Sequence, residues 1–353
     1  MFINENFMHR CIELAVHGAG NVAPNPMVGA VIEHDGMIIG EGYHRRFGGA
    51  HAEVNAINAV RDEQLLKDAT MYVNLEPCSH YGKTPPCAEL IMSKRIPRVV
   101  IACGDPFPEV SGRGVRMLRD AGVEVVTGVL EKEALWLNRY FMTAHTLRRP
   151  YVILKWAQSE DGFIDRKRDC FVPRNDDKRG TNDGKAYKFS TPLTRMMVHK
   201  LRSEVQAIMV GTNTAILDNP SLTVHHWVGR SPLRVVIDRH LRIPKGHKIF
   251  SDGEETLLFT SETIEEILAT LYDRGIYSLL VEGGAALHRS FYEKGLWDEI
   301  AIETTPVTLH DGVKALNISQ NADMQLSEIQ QVPYFEKKRE TSAEMKIFIR
   351  KTE

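Results

Sequence analysis

Apolar residues fall at helical spacing near the start of the chain. Phe7, Cys11, Leu14 and Ala15 predict an amphipathic helix over residues 5–18, ended by Gly18 and Gly20. The apolar run Ala30-Val31-Ile32, the turn pair Asp35-Gly36 and a second run from Met37 to His44 predict a β-hairpin, with Asn25 and His44 expected near its opposite ends. Val54, Ala56 and Ile57 then predict a helix from His51 to about Arg61, followed by a buried strand over residues 70–75 and a helix over 87–95. A strand at 99–102, a helix from Gly112 to about Gly122, a strand at 123–126 and a helix over 130–145 complete an alternation that predicts a three-layer α/β/α domain, residues 1–146.

Leu147-Arg148-Arg149-Pro150 is basic, ends in proline and reads as a linker. A second domain, residues 151–353, begins with a buried strand over 151–157. Residues 165–188 are poor in apolar side chains and carry eight basic against five acidic residues, so they form either a solvated loop or a flap that helps hold phosphates. Ser190-Thr191-Pro192 signals the start of a helix reaching Ser203. Strands follow at 205–210, 234–238 and 257–260, then a helix at 262–273. Residues 279–287 read as strand, Gly283-Gly284 turn and helix, and past Leu287 no element is assigned.

The totals change this picture little. A chain of 353 residues suits two domains, and 43% hydrophobic with 25% charged residues is ordinary for a soluble protein. A net charge of −2 gives no electrostatic basis for a nucleic-acid or membrane partner. No run of about 18 apolar residues occurs and the first residues lack a signal-peptide pattern, so no membrane span is expected. Cys11, Cys103 and Cys170 show no framework spacing, which points to a reducing cytoplasm.

Candidate chemistry concentrates between residues 51 and 87. His51-Ala52-Glu53 and, further on, Glu76-Pro77-Cys78 and Cys87 supply one imidazole, two thiols and a carboxylate. Three nitrogen or sulfur ligands make a catalytic zinc site with one position open. His51, Cys78 and Cys87 are the candidate ligands, and Glu53 is placed to carry a proton from the activated water to a leaving amine. Cys87 at a helix start is expected to favour the thiolate. A closed structural zinc site with His80 as fourth ligand, or two buried cysteines without metal, are the competing readings.

His-x-Glu followed by Pro-Cys-x-x-Cys is the zinc-deaminase pattern, but here eight residues separate the two cysteines. That longer stretch, Pro77-Cys78-Ser79-His80-Tyr81-Gly82-Lys83-Thr84-Pro85-Pro86-Cys87, resembles the deaminase half of the bifunctional riboflavin-biosynthesis deaminase–reductase family. The resemblance implies a cytidine-deaminase-like fold and contacts from Asn25, His44, His80, Lys83 and Asp105 to the pyrimidine and its phosphoribosyl group. On residue type alone Asn25 reads as a turn residue, His44 as a surface histidine and Asp105-Pro106 as a turn. An amide suits a pyrimidine edge, while lysine and imidazole suit a phosphate.

In the second half, Gly211-Thr212-Asn213-Thr214 and Asp218-Asn219-Pro220-Ser221-Leu222-Thr223, with Gly283-Gly284, resemble the reductase half of the same family, whose fold is similar to dihydrofolate reductase. The Rossmann fingerprint is absent, but two glycines between strand and helix let a phosphate approach backbone N–H groups. By resemblance, NADPH contacts fall at Ala157, Thr214, Asp218, Gly283 and Gly284, and substrate contacts at Arg202, Leu222 and Glu282. His225 stands where the family usually has an arginine for the ribose phosphate, with Arg230 as a possible substitute. Lys188 and the run Pro306-Val307-Thr308-Leu309-His310 also depart from the family pattern.

The resemblance implies an enzyme that uses zinc and NADPH on a small phosphoribosylaminopyrimidine; a homo-oligomer is expected, though the sequence itself is silent on oligomeric state. It would remove the 2-amino group of 2,5-diamino-6-(5-phosphoribosylamino)pyrimidin-4-one and then reduce the ribosyl chain to ribityl. No single general acid is named for the reduction: Glu282 and Lys155 are candidates, but each reads first as a binding or structural group. The competing functions are a deaminase with an inactive reductase half, a nucleic-acid-editing deaminase, for which a basic aromatic groove is lacking, and a non-catalytic metal scaffold.

Overall fold

The computed structural model describes residues 3–81, 85–107, 111–166, 189–318, 324–336 and 339–350. The chain forms two compact units, Met1–Arg149 and Pro150–Glu353.

The first unit opens with α1 (Glu5–Val16), whose N-cap Asn4 accepts a hydrogen bond from the Asn6 N–H. The hairpin β1 (Gly29–His34) and β2 (Met37–Tyr43) leads to α2 (Ala52–Ala59), a 3-10 turn at Glu63–Asp68 and β3 (Thr70–Leu75). Then come α3 (Cys87–Ser93), β4 (Arg98–Cys103), α4 (Arg113–Asp120), β5 (Glu124–Thr127), α5 (Glu131–Leu137) and α6 (Arg139–Leu147). The sheet order is β2-β1-β3-β4-β5; β1 runs antiparallel to both neighbours, while β3, β4 and β5 are parallel.

Strand residues alternate between two faces, and here both faces are covered. Ala30, Ile32, Met71, Val73, Val99 and Ile101 point to one side, against Ala56 and Ile57 of α2, Ile91 of α3 and Leu118 of α4. Val31, Tyr72, Val100 and Ala102 point to the other, against Phe7, Met8, Cys11 and Leu14 of α1. This is the expected three-layer α/β/α arrangement, and it explains why the strands are continuous apolar runs.

The expected single helix over 130–145 is two helices. Asn138, 2% exposed, separates them at φ −98° and ψ 20°, while its own N–H and carbonyl still pair with Ala134 and Met142. Its side-chain amide accepts from the Met27 N–H at 2.8 Å and donates to the Met27 carbonyl at 2.9 Å. Buried Asn74 donates to the same carbonyl at 3.1 Å and accepts from the Gly29 N–H at 2.7 Å. Two side-chain amides thus fix the segment that follows Asn25-Pro26.

The second unit contains β6 (Tyr151–Ser159), β7 (Phe163–Arg166), α7 (Pro192–Glu204), β8 (Ala207–Gly211), α8 (Thr212–Asp218), β9 (Leu233–Ile237), α9 (Lys248–Ser251) and β10 (Thr256–Phe259). It continues with α10 (Ile264–Asp273), β11 (Ser278–Val281), α11 (Ala285–Glu293), β12 (Glu299–Thr305), β13 (Gly312–Lys314), β14 (Met324–Glu336) and β15 (Arg339–Arg350). The main sheet runs β10-β9-β8-β11-β6-β12-β15-β14. It is parallel from β10 to β12, and β15 is antiparallel to both β12 and β14. Val152, Leu154, Met209, Val235, Leu279 and Val281 meet Ile267, Leu271 and Phe291 in its core.

The helix signal at Thr191-Pro192 holds: Thr191 accepts from the Thr194 N–H at 3.1 Å, with Pro192 in the first turn. Most of residues 165–188 lie outside the described residues, as do Lys83 and Lys188. No helix among the described residues is long and apolar enough to cross a membrane.

Candidate active sites

His51 is the N-cap of α2 with extended backbone, and Glu53 lies in the first helical turn. Cys78 follows β3 and Cys87 opens α3, both on the side where the parallel strands end. His51 Nδ1 lies 3.6 Å from Cys78 Sγ and 3.3 Å from Cys87 Sγ. All donor atoms of the three residues lie within 4.8 Å of one another, and His80 is not part of the group. One nitrogen and two sulfurs at this spacing fit zinc with a position left over. Glu53 is 3% exposed beside them.

The start of α3 acts on a neighbouring sulfur. The N–H of Cys87, at the start of α3, donates not to its own sulfur but to Cys78 Sγ at 3.2 Å. Cys78 is pulled down to about 4, first by the Cys87 thiol and then, against burial, by His51 and that N–H. Cys87 is pushed up, first by Cys78 and then by burial. His51 rises to about 9, chiefly through Cys78. The contacts of Cys78 with the Cys87 N–H and with His51 favour negative charge on that sulfur, and both thiols give up their protons when a metal binds.

Asn25 and His44 do not lie at opposite ends of the hairpin. β1 and β2 are antiparallel, so the residue before the first strand and the residue after the second share its open end. Asn25 Nδ2 is 3.2 Å from His44 Nε2, and His44 Nδ1 is 3.0 Å from the Ala50 carbonyl. A carbonyl only accepts, so Nδ1 carries the proton and Nε2 accepts from the Asn25 amide. Burial lowers the His44 pKa, consistent with this neutral ring. The Asn25 amide is thereby oriented with its oxygen as the remaining acceptor. Nor is His44 a surface residue, being 3% exposed. His80 is exposed and Asp105 half-buried; burial, with Glu76 adding, raises the Asp105 carboxyl.

In the second unit a cavity of about 1280 Å³ gathers the residues expected to touch cofactor and substrate in the reduction. Ala157 comes from β6, Thr214 and Asp218 from α8, Arg202 from α7, Leu222 and His225 from the loop after α8, and Glu282, Gly283 and Gly284 from the turn after β11. Gly284 has φ +65° and its Cα faces Thr214, while a side chain at Gly283 would collide with β8 at Val210. Arg202 and Glu282 form a two-pronged ion pair, Nε–Oε1 3.0 Å and Nη2–Oε2 2.6 Å, with Arg202 Nη1 also donating to the Thr223 carbonyl. Lys155, 8% exposed, lines the same cavity with its Nζ 3.7 Å from Glu303 Oε2.

A model of the cytidine and deoxycytidylate deaminase zinc-binding region matches residues 1–103, and one of the RibD C-terminal domain matches residues 150–333. The riboflavin biosynthesis protein RibD of Bacillus amyloliquefaciens is 39% identical over 334 residues, 87% of this chain and 85% of that protein. The chain belongs to the RibD family. The RibD of Aquifex aeolicus is 37% identical, covering 88% of this chain and 89% of its own. A crystal structure of a diaminohydroxyphosphoribosylaminopyrimidine deaminase/5-amino-6-(5-phosphoribosylamino)uracil reductase from Thermotoga maritima superposes with a TM-score of 0.84 at 36% identity, covering 98% of each chain. Both expected folds, cytidine-deaminase-like and dihydrofolate-reductase-like, are thus those of a RibD protein.

Arg230 does not line the cavity. Arg195, His199 and His226 line it instead. His199 Nδ1 accepts the His225 N–H at 3.0 Å, and His225 Nε2 lies 2.6 Å from Thr223 Oγ1. Sequence reasoning missed these groups, as it missed Arg239 and Arg242 after β9. The strand-end rule could have found the last two; nothing local marks His199, which sits mid-helix.

Proposed function

We infer that this RibD protein carries out two successive reactions on one intermediate. The first unit hydrolyses the 2-amino group of 2,5-diamino-6-(5-phosphoribosylamino)pyrimidin-4-one, and the second reduces the ribosyl chain of the product to ribityl. The convergence of His51, Cys78 and Cys87 beside buried Glu53 carries the first half of this reading. Zinc, when bound by those three residues, supplies the Lewis acidity that makes a water nucleophilic near neutral pH. Glu53 takes the proton released there and delivers it to the leaving amine. Asn25, oriented by His44, accepts from the pyrimidine edge, and His80, Lys83 and Asp105 hold the rest of the substrate.

In the second unit Gly283 and Gly284 leave backbone room for a cofactor phosphate at the start of α11, with Ala157, Thr214 and Asp218 flanking it. NADPH, when bound, supplies the hydride. Glu282 is a poor proton donor. Burial would raise its pKa, but the Arg202 charge and hydrogen bonds, with Lys155 and His199 adding, hold it below the usual carboxylate range. We therefore assign Glu282, Arg202, Leu222 and His225 to binding and Lys155 to proton donation. An inactive second half is disfavoured by the complete cavity and its intact ion pair.

We further place the enzyme in the cytoplasm, without nucleic-acid or membrane partners, as a homo-oligomer. The end strand β14 offers a sheet edge that supports association. Light scattering tests the oligomer. Ammonia release and NADPH oxidation, followed separately on one preparation, test the two activities.

A further inference from the structure

We propose that Glu76 is a positioning residue of the deaminase site, one buried carboxylate that ties the zinc-ligand loop at Cys78 to the loop carrying Asp105. The proposal rests on the deaminase reading above. Glu76 lies two residues before Cys78 and is 4% exposed, yet no cation is paired with it among the described residues. Its charge is met by backbone. Oε1 accepts the N–H groups of Gly114 at 2.9 Å and Val115 at 3.2 Å, and Oε2 accepts those of Gly112 at 2.9 Å and Asp105 at 3.4 Å.

Three of those donors are the unpaired N–H groups at the start of α4, whose N-cap is Gly112 and has no side chain to cap it. Glu76 caps the helix from the end of another strand. A carboxylate suits that end of the helix dipole, and hydrogen bonds to a charged acceptor are the stronger kind. The fit is close on both sides of the acid. A Cβ at Gly114 would lie 2.1 Å from the Pro77 carbonyl oxygen, so only glycine lets α4 approach the Pro77-Cys78 peptide. The Glu76 N–H meanwhile donates to the Cys103 carbonyl at 3.0 Å, which holds β3 and β4 in step where both loops leave the sheet.

The consequence is a shared anchor. Cys78 is held from one side by α3, through Ala88 N–H to the Cys78 carbonyl at 3.2 Å and Cys87 N–H to its sulfur. From the other side it is held by Glu76. Asp105, on the substrate side, has its own N–H on the same carboxylate. Loosening Glu76 therefore releases a zinc ligand and a substrate contact together, while Glu53 and His51, on α2, stay where they are.

The test is Glu76→Gln in the full chain. Glutamine keeps the shape, but its NH₂ group faces backbone donors and only one oxygen remains for two pairs of them. We expect zinc, measured by competition with a chromogenic chelator, to be held about tenfold more weakly, and KM for ammonia release to rise about tenfold. At saturating zinc and substrate kcat stays within about threefold, and NADPH oxidation on deaminated substrate is unchanged. Wild-type zinc affinity and KM, with only a lower melting temperature, overturn the proposal and leave Glu76 a fold-holding residue. Should the Gln variant not fold, Glu76→Asp keeps the charge and shortens its reach. Smaller shifts in the same two quantities support the proposal, and none overturns it. If the wild-type protein released no ammonia, the deaminase reading would fail, while the zinc competition would still decide whether Glu76 holds Cys78.

Discussion

Glu53, buried, and Glu282, half-buried, each sit in a site, yet they are pushed in opposite directions. Glu53 rises, first through burial and then through the charge on Cys78, with His51 opposing. Glu282, partly buried in the wall of its cavity, is also pushed up by burial, but Arg202, 2.6 Å away, outweighs it. Burial sets the cost of charge, and the partner decides its sign. A carboxyl that takes and returns a proton suits hydrolysis, where water must be deprotonated and an amine protonated. A carboxylate pinned by a guanidinium suits recognition, and under the proposed function the proton for the reduction comes from another group, for which Lys155 is our candidate.

The sharpest way to break this contrast is Glu53→Gln. Ammonia release should fall by about 10²- to 10⁴-fold while bound zinc, measured by metal analysis, stays at the wild-type level. Wild-type deamination by that variant would remove Glu53 from the proton path. Arg202→Ala should come next. It leaves Glu282 buried without its counter-charge, and removing one partner of a buried pair costs about 3–5 kcal/mol. Calorimetry should show the second unit melting earlier, with ammonia release retained.

Acid sharpens the comparison further. Unfolded Glu282 takes its proton near pH 4.3, as a glutamate ordinarily does, whereas the folded carboxyl titrates lower, so between those values the unfolded chain binds more protons. The stability that Glu282 contributes is thus complete above about pH 4.3 and lost as pH falls through its folded value. Melting temperature of the second unit followed from pH 6 to about pH 3 should drop less steeply in Glu282→Gln than in wild type. The smallest expected effect is at His225. Replacing it with the arginine usual in RibD proteins should lower KM for the reduction by up to about tenfold, because a guanidinium holds a phosphate with two donors at any working pH. A KM that rises instead would mean His225, set among Ser221, Thr223 and His199, is not near the phosphate.

The two sites also differ in how plainly they could be read from the chain. The zinc ligands were legible because their spacing is short and their residue types are rare together. The helix at Thr191-Pro192 was legible because its cap is local. The reductase cavity draws on β6, α7, α8, β11 and the loops between them, so apart from the Gly283-Gly284 turn its residues came from resemblance, and His199 did not come at all. Asn138 reads as an ordinary helix residue until Met27, far along the chain, claims its amide. Glu76 is visible as part of a motif, but the helix it caps begins 37 residues later, at Arg113. Even the hairpin was misjudged at Asn25 and His44, since pairing direction, not sequence distance, decides which residues meet. Local chemistry is written in order along the chain; long-range partners are not.

The most direct test gives the wild-type protein, loaded with zinc, its diaminopyrimidine substrate and NADPH, and counts ammonia and oxidised cofactor in the same sample. The account predicts equal amounts of both, ammonia appearing first, and almost none of either from Glu53→Gln, in which deaminated substrate restores NADPH oxidation alone. Nicotinamide oxidation without ammonia, or ammonia with no fall in nicotinamide absorbance, would contradict it.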